Sequence, residues 1–571
     1  MNSMCSHWLR IGAATALCVT SAGTHAATTA NSPASSTYAA AEKASASDKM
    51  LQAMLTELER EQDGLVLGGM QRPYFIEYRL DDIVSYEAVA NYGALTREEN
   101  AHQRVVRVTV RVGDYTADSS SLRGDGAIQL APEDNDPEVL RYALWTATDD
   151  AYKAALRAYA GKQANLKRFE KVQPEKDFAP APPAIHVGPL VKLALDKEEW
   201  KKRLVDASGV YLSEKEVSAF APQVQFSSSN MRALVVNRYL VNTEGTVLRQ
   251  GYSGYTANIS LAGQAADGMR LGRDNGTSGV EAKELESAAA FHKRAVDDVK
   301  SLEALSSAPV ADAEDYHGPV LFSGDAAADV LNRLFVPNIE ADRPDPGTTA
   351  RTRGIYTSSY KSKVLPEILN VVDDPLRTNF EGHRLMGAYD LDDEGVPAQK
   401  VQIVTKGKLE NYLIGRTPVR DFPESNGHGR AALGQAAHSR AGVIVFTPTT
   451  ATPVAELHAR LLAMAKEQGR AVYEVETMGG ENTPRLLYRV QPDGTRELIR
   501  GAVFDELDNR SLRSDIVAAG DDPYIDNALG TVPQTIIAPS LLFGDIEVKR
   551  ASEEQEKLPY YPPPAPEKFV R

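Results

Sequence analysis

The chain has 571 residues, room for about two to four domains of ordinary size. Hydrophobic residues make up 42% and charged residues 25%. That balance excludes a collagenous, coiled-coil or wholly disordered chain. The formal net charge of −15 excludes a protein whose main surface wraps nucleic acid, because phosphate contacts need a basic footprint.

In chain order, residues 1–26 read as a secretory leader. Arg10 supplies the positive region, Ile11–Ala22 is a short apolar run, and Thr24-His25-Ala26 offers a small-x-small cleavage site. The run is too short to cross a bilayer. The only cysteines, Cys5 and Cys18, lie inside it. Cleavage therefore leaves a chain without disulfide, Cys-ligated zinc or Cys nucleophile. The expectation is a periplasmic or secreted protein with no membrane span after cleavage. Residues 27–47 are an Ala/Ser/Thr-rich stretch without hydrophobic period, expected to be a disordered linker.

An N-terminal α/β domain is expected over 48–306. Ser47 or Asp48 caps a helix whose Met50, Leu51, Met54, Leu55 and Leu58 share one face. Tyr74–Leu80 reads as a strand, as does Arg104–Val112, where Val106, Val108, Val110 and Val112 alternate with polar residues. Asp136-Pro137 opens a helix striped by Leu140, Leu144, Ala147, Ala151 and Ala155, which Gly161 ends. Residues 165–188 read as a Pro-rich surface excursion. Ser213 and Glu216 form a capping box for a short helix. Met231–Val241 and Thr246–Gln250 form a hairpin around Asn242–Gly245, Tyr255–Ala262 continues the sheet, and a helix runs over 282–305.

A second domain is expected over 317–550, after an acidic connection of small residues at 306–318. Here strand patterns dominate: 319–322, 399–405, 409–414, 442–446, 470–476, 485–491, 497–504 and 540–548. One helix stands out, Pro453–Gln468, capped by Thr452. The fold class is thus α+β, with an N-terminal α/β domain followed by a mostly β C-terminal domain, barrel- or sandwich-like. The tail, 551–571, is Pro-rich, and Pro559–Pro566 within it reads as extended polyproline.

The standard constellations for catalysis are missing. There is no phosphate loop, no G-x-S-x-G elbow and no H-E-x-x-H. The eight histidines outside the leader never pair at helical spacing. Asn426, His428 and Arg430 occupy a Gly-rich turn and His438 lies ten residues beyond His428. Glycines let backbone approach a ligand, and His with Arg suits a carboxylate, so these four are the substrate-binding candidates; a tight loop of solvated polar residues is the other reading. Asp373-Asp374 and Asp390 with Asp392-Asp393-Glu394 carry six carboxylates. These suit a hard cation or, without calcium-loop spacing, the setting of turns.

Taken together, Val371-Val372-Asp373-Asp374-Pro375, Tyr389-Asp390, Asp393-Glu394-Gly395-Val396-Pro397, Gly407-Lys408-Leu409-Glu410-Asn411-Tyr412, Arg416-Thr417-Pro418, Ser425-Asn426-Gly427-His428-Gly429-Arg430, Leu498-Ile499-Arg500-Gly501-Ala502 and residues 536–548 resemble the TldD/PmbA family of metallopeptidases. With a weaker N-terminal likeness, the resemblance covers 49–550. It implies two domains, α/β then largely β, and protomers that pair around an internal cavity. One kind of subunit holds a metal through a H-E-x-x-x-H helix plus a cysteine and cleaves unfolded peptides. The other kind lacks those ligands and serves as its partner.

This chain departs at that helix. After the strand at Pro319–Phe322, register from Gly324 places Leu331, Asn332 and Val336 where His, Glu and His would stand. No shift of a residue or two supplies a histidine. Alkyl groups cannot ligate a metal, and an amide cannot act as a general base. The expectation is a family homologue with no metal or other cofactor, a catalytic set that is unknown, and a role in binding peptide or unfolded polypeptide. It would form a homodimer, or a heterodimer with a family member in a proteolytic complex. The alternative is an active peptidase holding zinc in a rearranged site built from His428, His438 and the Asp390–Glu394 cluster.

Overall fold

The computed structural model describes residues 42–120, 126–166, 175–312, 315–344 and 350–552. The leader, most of the expected linker and nearly all of the tail lie outside them. Of the linker, residues 42–45 form a helical turn and Ser45 is buried.

The N-terminal half is one long sheet with helices on one face. Its strands are β1 (Pro73–Asn91), β2 (Ala94–Val112), β3 (Gly126–Ala131), β4 (Ile185–Val187), β5 (Val224–Asn242), β6 (Val247–Gln264) and β7 (Arg270–Gly279). The order is β3-β2-β1-β5-β6-β4, with β7 also on β6. Only β4 pairs in parallel. Helices α1 (Lys49–Gly64) and α2 (Pro137–Leu166) cover one end of the sheet, α3 (Lys197–Ser213) and α4 (Ala288–Ser307) the other. The cause is the strand period of two: Ile76, Tyr78 and Leu80 on β1 and Val106, Val108, Val110 and Val112 on β2 all point to the helices and are buried.

Several boundaries differ from expectation. The strands extend well past their apolar cores because pairing continues through polar residues. Helix α2 runs beyond Gly161 to Leu166. Ser213 ends α3 instead of opening a helix, and a 3-10 turn follows at Ser218–Gln223. The helix expected over 282–305 divides into a 3-10 turn at Ala282–Glu284 and α4, which Ser287 caps. Thr452 does not cap the C-terminal helix; Pro453 occupies that position, without a side-chain bond.

The C-terminal half contains β8 (Tyr316–Phe322), α5 (Gly324–Leu334), β9 (Leu369–Asp373), β10 (Asn379–Phe380), β11 (His383–Arg384), β12 (Val401–Thr405), β13 (Lys408–Leu409), β14 (Gly429–Ala431), β15 (Ala437–Ser439), β16 (Val443–Pro448), α6 (Val454–Gln468), β17 (Val472–Met478), β18 (Pro484–Val490), β19 (Arg496–Ile499), β20 (Ala502–Val503), α7 (Asn509–Ser514), β21 (Ile516–Ala519), β22 (Tyr524–Ala528), β23 (Gln534–Ala538) and β24 (Leu541–Arg550). One sheet runs β19-β18-β17-β8-β24-β20, with β21 also on β24; another runs β13-β12-β9-β16-β23-β22. Val320, Phe322 and Phe543 of the first share a core with Val371, Ile444 and Ile536 of the second, and α5 contributes Ala327, Val330 and Leu331 to it. Helix α6 packs on the outside, against Leu321, Val472 and Leu542.

Candidate functional site

Helix α5 holds the positions that would carry a metal. Ser323 caps it, its Oγ accepting from the Ala326 N–H at 3.3 Å. Gly324 permits close packing on β22, since a Cβ there would lie 2.6 Å from that of Tyr524. Leu331 is 0% and Val336 3% exposed, both within the shared core. Val336 is not on the helix: α5 stops at Leu334, and Val336–Asn338 form a 3-10 turn containing Pro337. Asn332 is half-buried. Two buried alkyl groups and an amide, the last ligand position already off the helix, do not fit a metal ion. Among the described residues no group of three or more His, Cys, Asp or Glu is arranged to hold one.

The polar face of α5 was not singled out from the sequence. Asp325, Asp329 and Arg333 lie one turn apart, and Arg333 stands 3.8 Å from Asp329. Opposite are Tyr524 and Asp526 on β22, Arg485 on β18, and Arg273 and Asp274 on β7. This is a seam between the halves, closed at its edge where Ser278 Oγ donates to the Asn527 carbonyl at 2.9 Å. Burial, with the neighbouring Asp526 and Asp329, pushes Asp325 up to about 6 against the pull of Arg273 and Arg485. Burial raises Asp329 and Asp526 as well. Asp325 and Asp526 have no side-chain hydrogen bond or ion pair among the described residues. The i, i+4 spacing of Asp325, Asp329 and Arg333 was the available signal; the partners on β7 and β22 come from distant sequence.

The Gly-rich turn has a different neighbourhood. His428 is wholly buried; its Nδ1 lies 2.9 Å from the Asn426 carbonyl, and its Nε2 is 3.5 Å from Asp373 without a hydrogen-bond partner. Asn426 holds the chain together: its Oδ1 accepts from the Ile414 N–H and its Nδ2 donates to the Tyr412 carbonyl, both at 2.8 Å. The glycines make room for this chain itself. A Cβ on Gly427, at φ 75°, would lie 2.3 Å from the Pro397 carbonyl, and one on Gly429 2.0 Å from Glu394 Oε2. Arg430 is buried 3.3 Å from Asp393 and 4.0 Å over the Tyr389 ring. His438 pairs opposite Arg430 across β14–β15, but its side chain is 54% exposed and 3.6 Å from Asp342. Of the four binding candidates, His428 and Arg430 are thus buried, Asn426 is half-buried and His438 lies at the surface.

The acidic run 390–394 docks onto the N-terminal sheet. Arg238 bridges the two halves, its Nη1 2.7 Å from Asp393 and its Nε 2.6 Å from Asp81. Asp393 also accepts the Ala431 N–H at 2.7 Å. Burial works to raise its pKa, but Arg238 and Arg430 outweigh it and hold the carboxyl at about 2. Asp392 accepts N–H groups of Glu394, Val396 and Gly429. Even so, burial and the adjacent Glu394 drive its pKa up. Glu394 accepts the Arg416 N–H at 2.6 Å, and burial raises it too. Glu77 on β1 faces Glu394, and burial lifts it to about 7 against Arg79. Asp390 is exposed. These carboxylates act as turn-setters and inter-half ties, with Asp392 in an Asx turn.

Residues 315–550 match the family described as PmbA/TldA metallopeptidase C-terminal domain. A protein from Archaeoglobus fulgidus named metalloprotease is 26% identical over 169 residues, which is 30% of this chain and 35% of the relative, so the match spans about a third of that relative's length. Among solved structures, TldE from Thermococcus kodakarensis superposes with a TM-score of 0.57 at 14% identity, over 87% of this chain and 100% of that one. A Thermotoga maritima protein described as a candidate modulator of a DNA gyrase gives 0.59 at 15% identity, over 87% and 99%. At these identities the superpositions speak for the fold, and the family match speaks for descent. Residues 315–550 thus carry the C-terminal domain of the PmbA/TldD family, and the chain as a whole shares the fold of TldE.

Proposed function

We propose that this protein is an exported, metal-free member of the family that binds extended peptide in the seam between its halves, alone or as the partner of a catalytic homologue. The observation that carries the reading is the chemistry of α5 and the turn after it: Leu331 and Val336 are built into the apolar core, where an imidazole in either place would lose its packing and lie far from solvent. The polar face of the same helix, with Asp325 and Asp329 set against Asp526, Arg273 and Arg485, offers acceptors and donors for a peptide backbone. Its openness supports that use: Asp329 is 40% and Arg333 30% exposed at the side chain. Export rests on the leader at 1–26.

The test pairs metal analysis of purified protein with binding of a labelled unfolded polypeptide in the presence and absence of a chelator. The expected result is binding that survives chelation, without cleavage. Stoichiometric, tightly held zinc with chelator-sensitive cleavage overturns the reading. Asn332→Ala leaves binding unchanged in this account, and a large loss contradicts it.

A further inference from the structure

The helix-bearing face of the N-terminal sheet has a gap. Residues of even number on β1 point to that face. Ile76, Tyr78 and Leu80 lie under α1 and α2, and Tyr86, Ala88 and Ala90 under α3 and α4. Between them stand Asp82 and Val84, paired in register with Arg104 and His102 of β2, and neither helix pair covers them. The result is a cleft of about 520 Å³, floored by Val84, Ala101 and His102 and walled by the extended segment Val191–Leu195 and by Lys197. This is the size range of small-molecule sites.

The polar groups here are ordered. Asp82 spends one oxygen on His102 Nε2 at 2.7 Å and the other on Arg104 at 3.1 Å. Arg104 spends its remaining reach on the Asp134 carbonyl at 2.9 Å and Asn135 at 2.8 Å. Asp82 is therefore neutralised, and the imidazole is fixed in orientation with Nδ1 unspent. Lys197 is held by Asn100 and lies 5.0 Å over the Tyr86 ring. Lys192, exposed on the wall, makes no ion pair or hydrogen bond among the described residues. Lys192 and Lys197 thus line a cleft whose floor and wall carry the apolar side chains of Val84, Val191, Leu193 and Leu195, on a chain of net charge −15.

We propose that this cleft binds a small aliphatic carboxylate, its alkyl part on Val84 and the Val191–Leu195 wall and its carboxylate between Lys197 and Lys192. The chemistry is shared by a peptide's C-terminal residue and by a free aliphatic acid. A cationic rim over an apolar floor selects an anion with a hydrophobic body; a neutral isostere of the same shape forfeits the charge-assisted hydrogen bonds. The site is independent of the seam, because Asp81 and Arg79, which meet the C-terminal half, point to the opposite face of β1.

Calorimetric titration of purified protein with N-acetyl-leucine, hexanoate and N-acetyl-leucinamide tests it. Both carboxylates are expected to bind with millimolar or better Kd, and the amide at least about tenfold more weakly. Tighter binding of N-acetyl-leucine assigns the site to peptide C termini, tighter binding of hexanoate to free acids, and either supports it. Lys192→Gln with Lys197→Gln is expected to weaken both carboxylates at least about tenfold at unchanged Tm, with Lys192→Gln alone giving part of that loss. Equal binding of the amide, unaltered binding by the double variant, or no binding of either carboxylate at about 10 mM overturns the proposal. None of these results touches the peptide reading of the seam, which is read out by the unfolded polypeptide.

Discussion

Asp393→Asn perturbs the tie between the two halves at its centre. The wild-type carboxylate lies 2.7 Å from Arg238 and 3.3 Å from Arg430, and it accepts the Ala431 N–H at 2.7 Å. All three groups are buried: the side chains of Arg238 and Arg430 are 2% and 6% exposed. Neutralising Asp393 leaves Asp81 as the one carboxylate bonded to Arg238 and removes the ion-pair partner of Arg430. Breaking one partner of a buried pair costs about 3–5 kcal/mol, because a charge is left uncompensated. The depressed pKa agrees in scale: holding the carboxyl at about 2 instead of 3.8 corresponds to about 2 kcal/mol for the ionised form alone. For a body this size, with an unfolding entropy of about 2.1 cal/mol/K per residue, the cost lowers Tm by roughly 3–5 °C. The assay is calorimetric and urea unfolding of wild type, Asp393→Asn, Arg238→Met and the double variant. The double variant is expected to lose less than the sum of the two single variants, since both break the same Arg238–Asp393 contact, although Arg238→Met also strands the buried Asp81 carboxylate. A single-variant loss below about 1 kcal/mol, the range of a solvent-exposed pair, refutes the reasoning.

Other outcomes follow from the same geometry. Glu77 has its folded pKa raised from 4.5 to about 7; the unfolded chain ionises first, so stability falls as pH rises from about 4.5 to about 7 and then levels. Glu77→Gln should flatten that slope, by up to about 3 kcal/mol at neutral pH, and an unchanged pH profile of unfolding contradicts it. Asp325, raised to about 6, acts in the same direction, so Asp325→Asn should make the acid side of the profile shallower and not steeper. Leu331→Ala empties a fully buried position in the shared core and should cost about 2–5 kcal/mol, whereas Leu331→His should cost at least as much and gain no zinc in metal analysis. His428→Ala with Arg430→Ala removes two buried groups and should lower Tm; a loss of peptide binding at unchanged Tm returns both residues to the binding surface.

Much of the fold was legible because its signals are local. Val106 to Val112 alternate, and a strand with one buried face follows from the pleat. The stripe of α2 and the 450–470 helix needed only a period of 3.6. Four N-terminal elements escaped: β3, β4, α3 and β7. Helix α3 has Trp200, Leu204, Ala207 and Tyr211 at helical spacing and an Asp196 cap, but Gly209 interrupts it, a residue required because its Cβ would lie 2.9 Å from Gly93 Cα of the neighbouring hairpin. Strand β7 (Arg270–Gly279) is polar and Gly-rich, and it is a strand because β6 pairs with it over ten residues.

The amino-acid sequence alone determined the side chains at 331, 332 and 336: alkyl groups ligate no metal in any fold, and an amide is no general base. It also determined the carboxylate-rich run at 390–394, but not what those carboxylates do. Carboxyl groups of one chemical type became an arginine-paired tie at Asp393, a turn-setter at Asp392 and, outside that run, a seam acid at Asp325 with no ion pair among the described residues. That division depends on which distant cation arrives and how much water leaves, and both are fixed only when the strand bearing Arg238 and the loop bearing Asp393 stack. Spacing along a chain encodes faces; desolvation and charge pairing belong to the assembled interior.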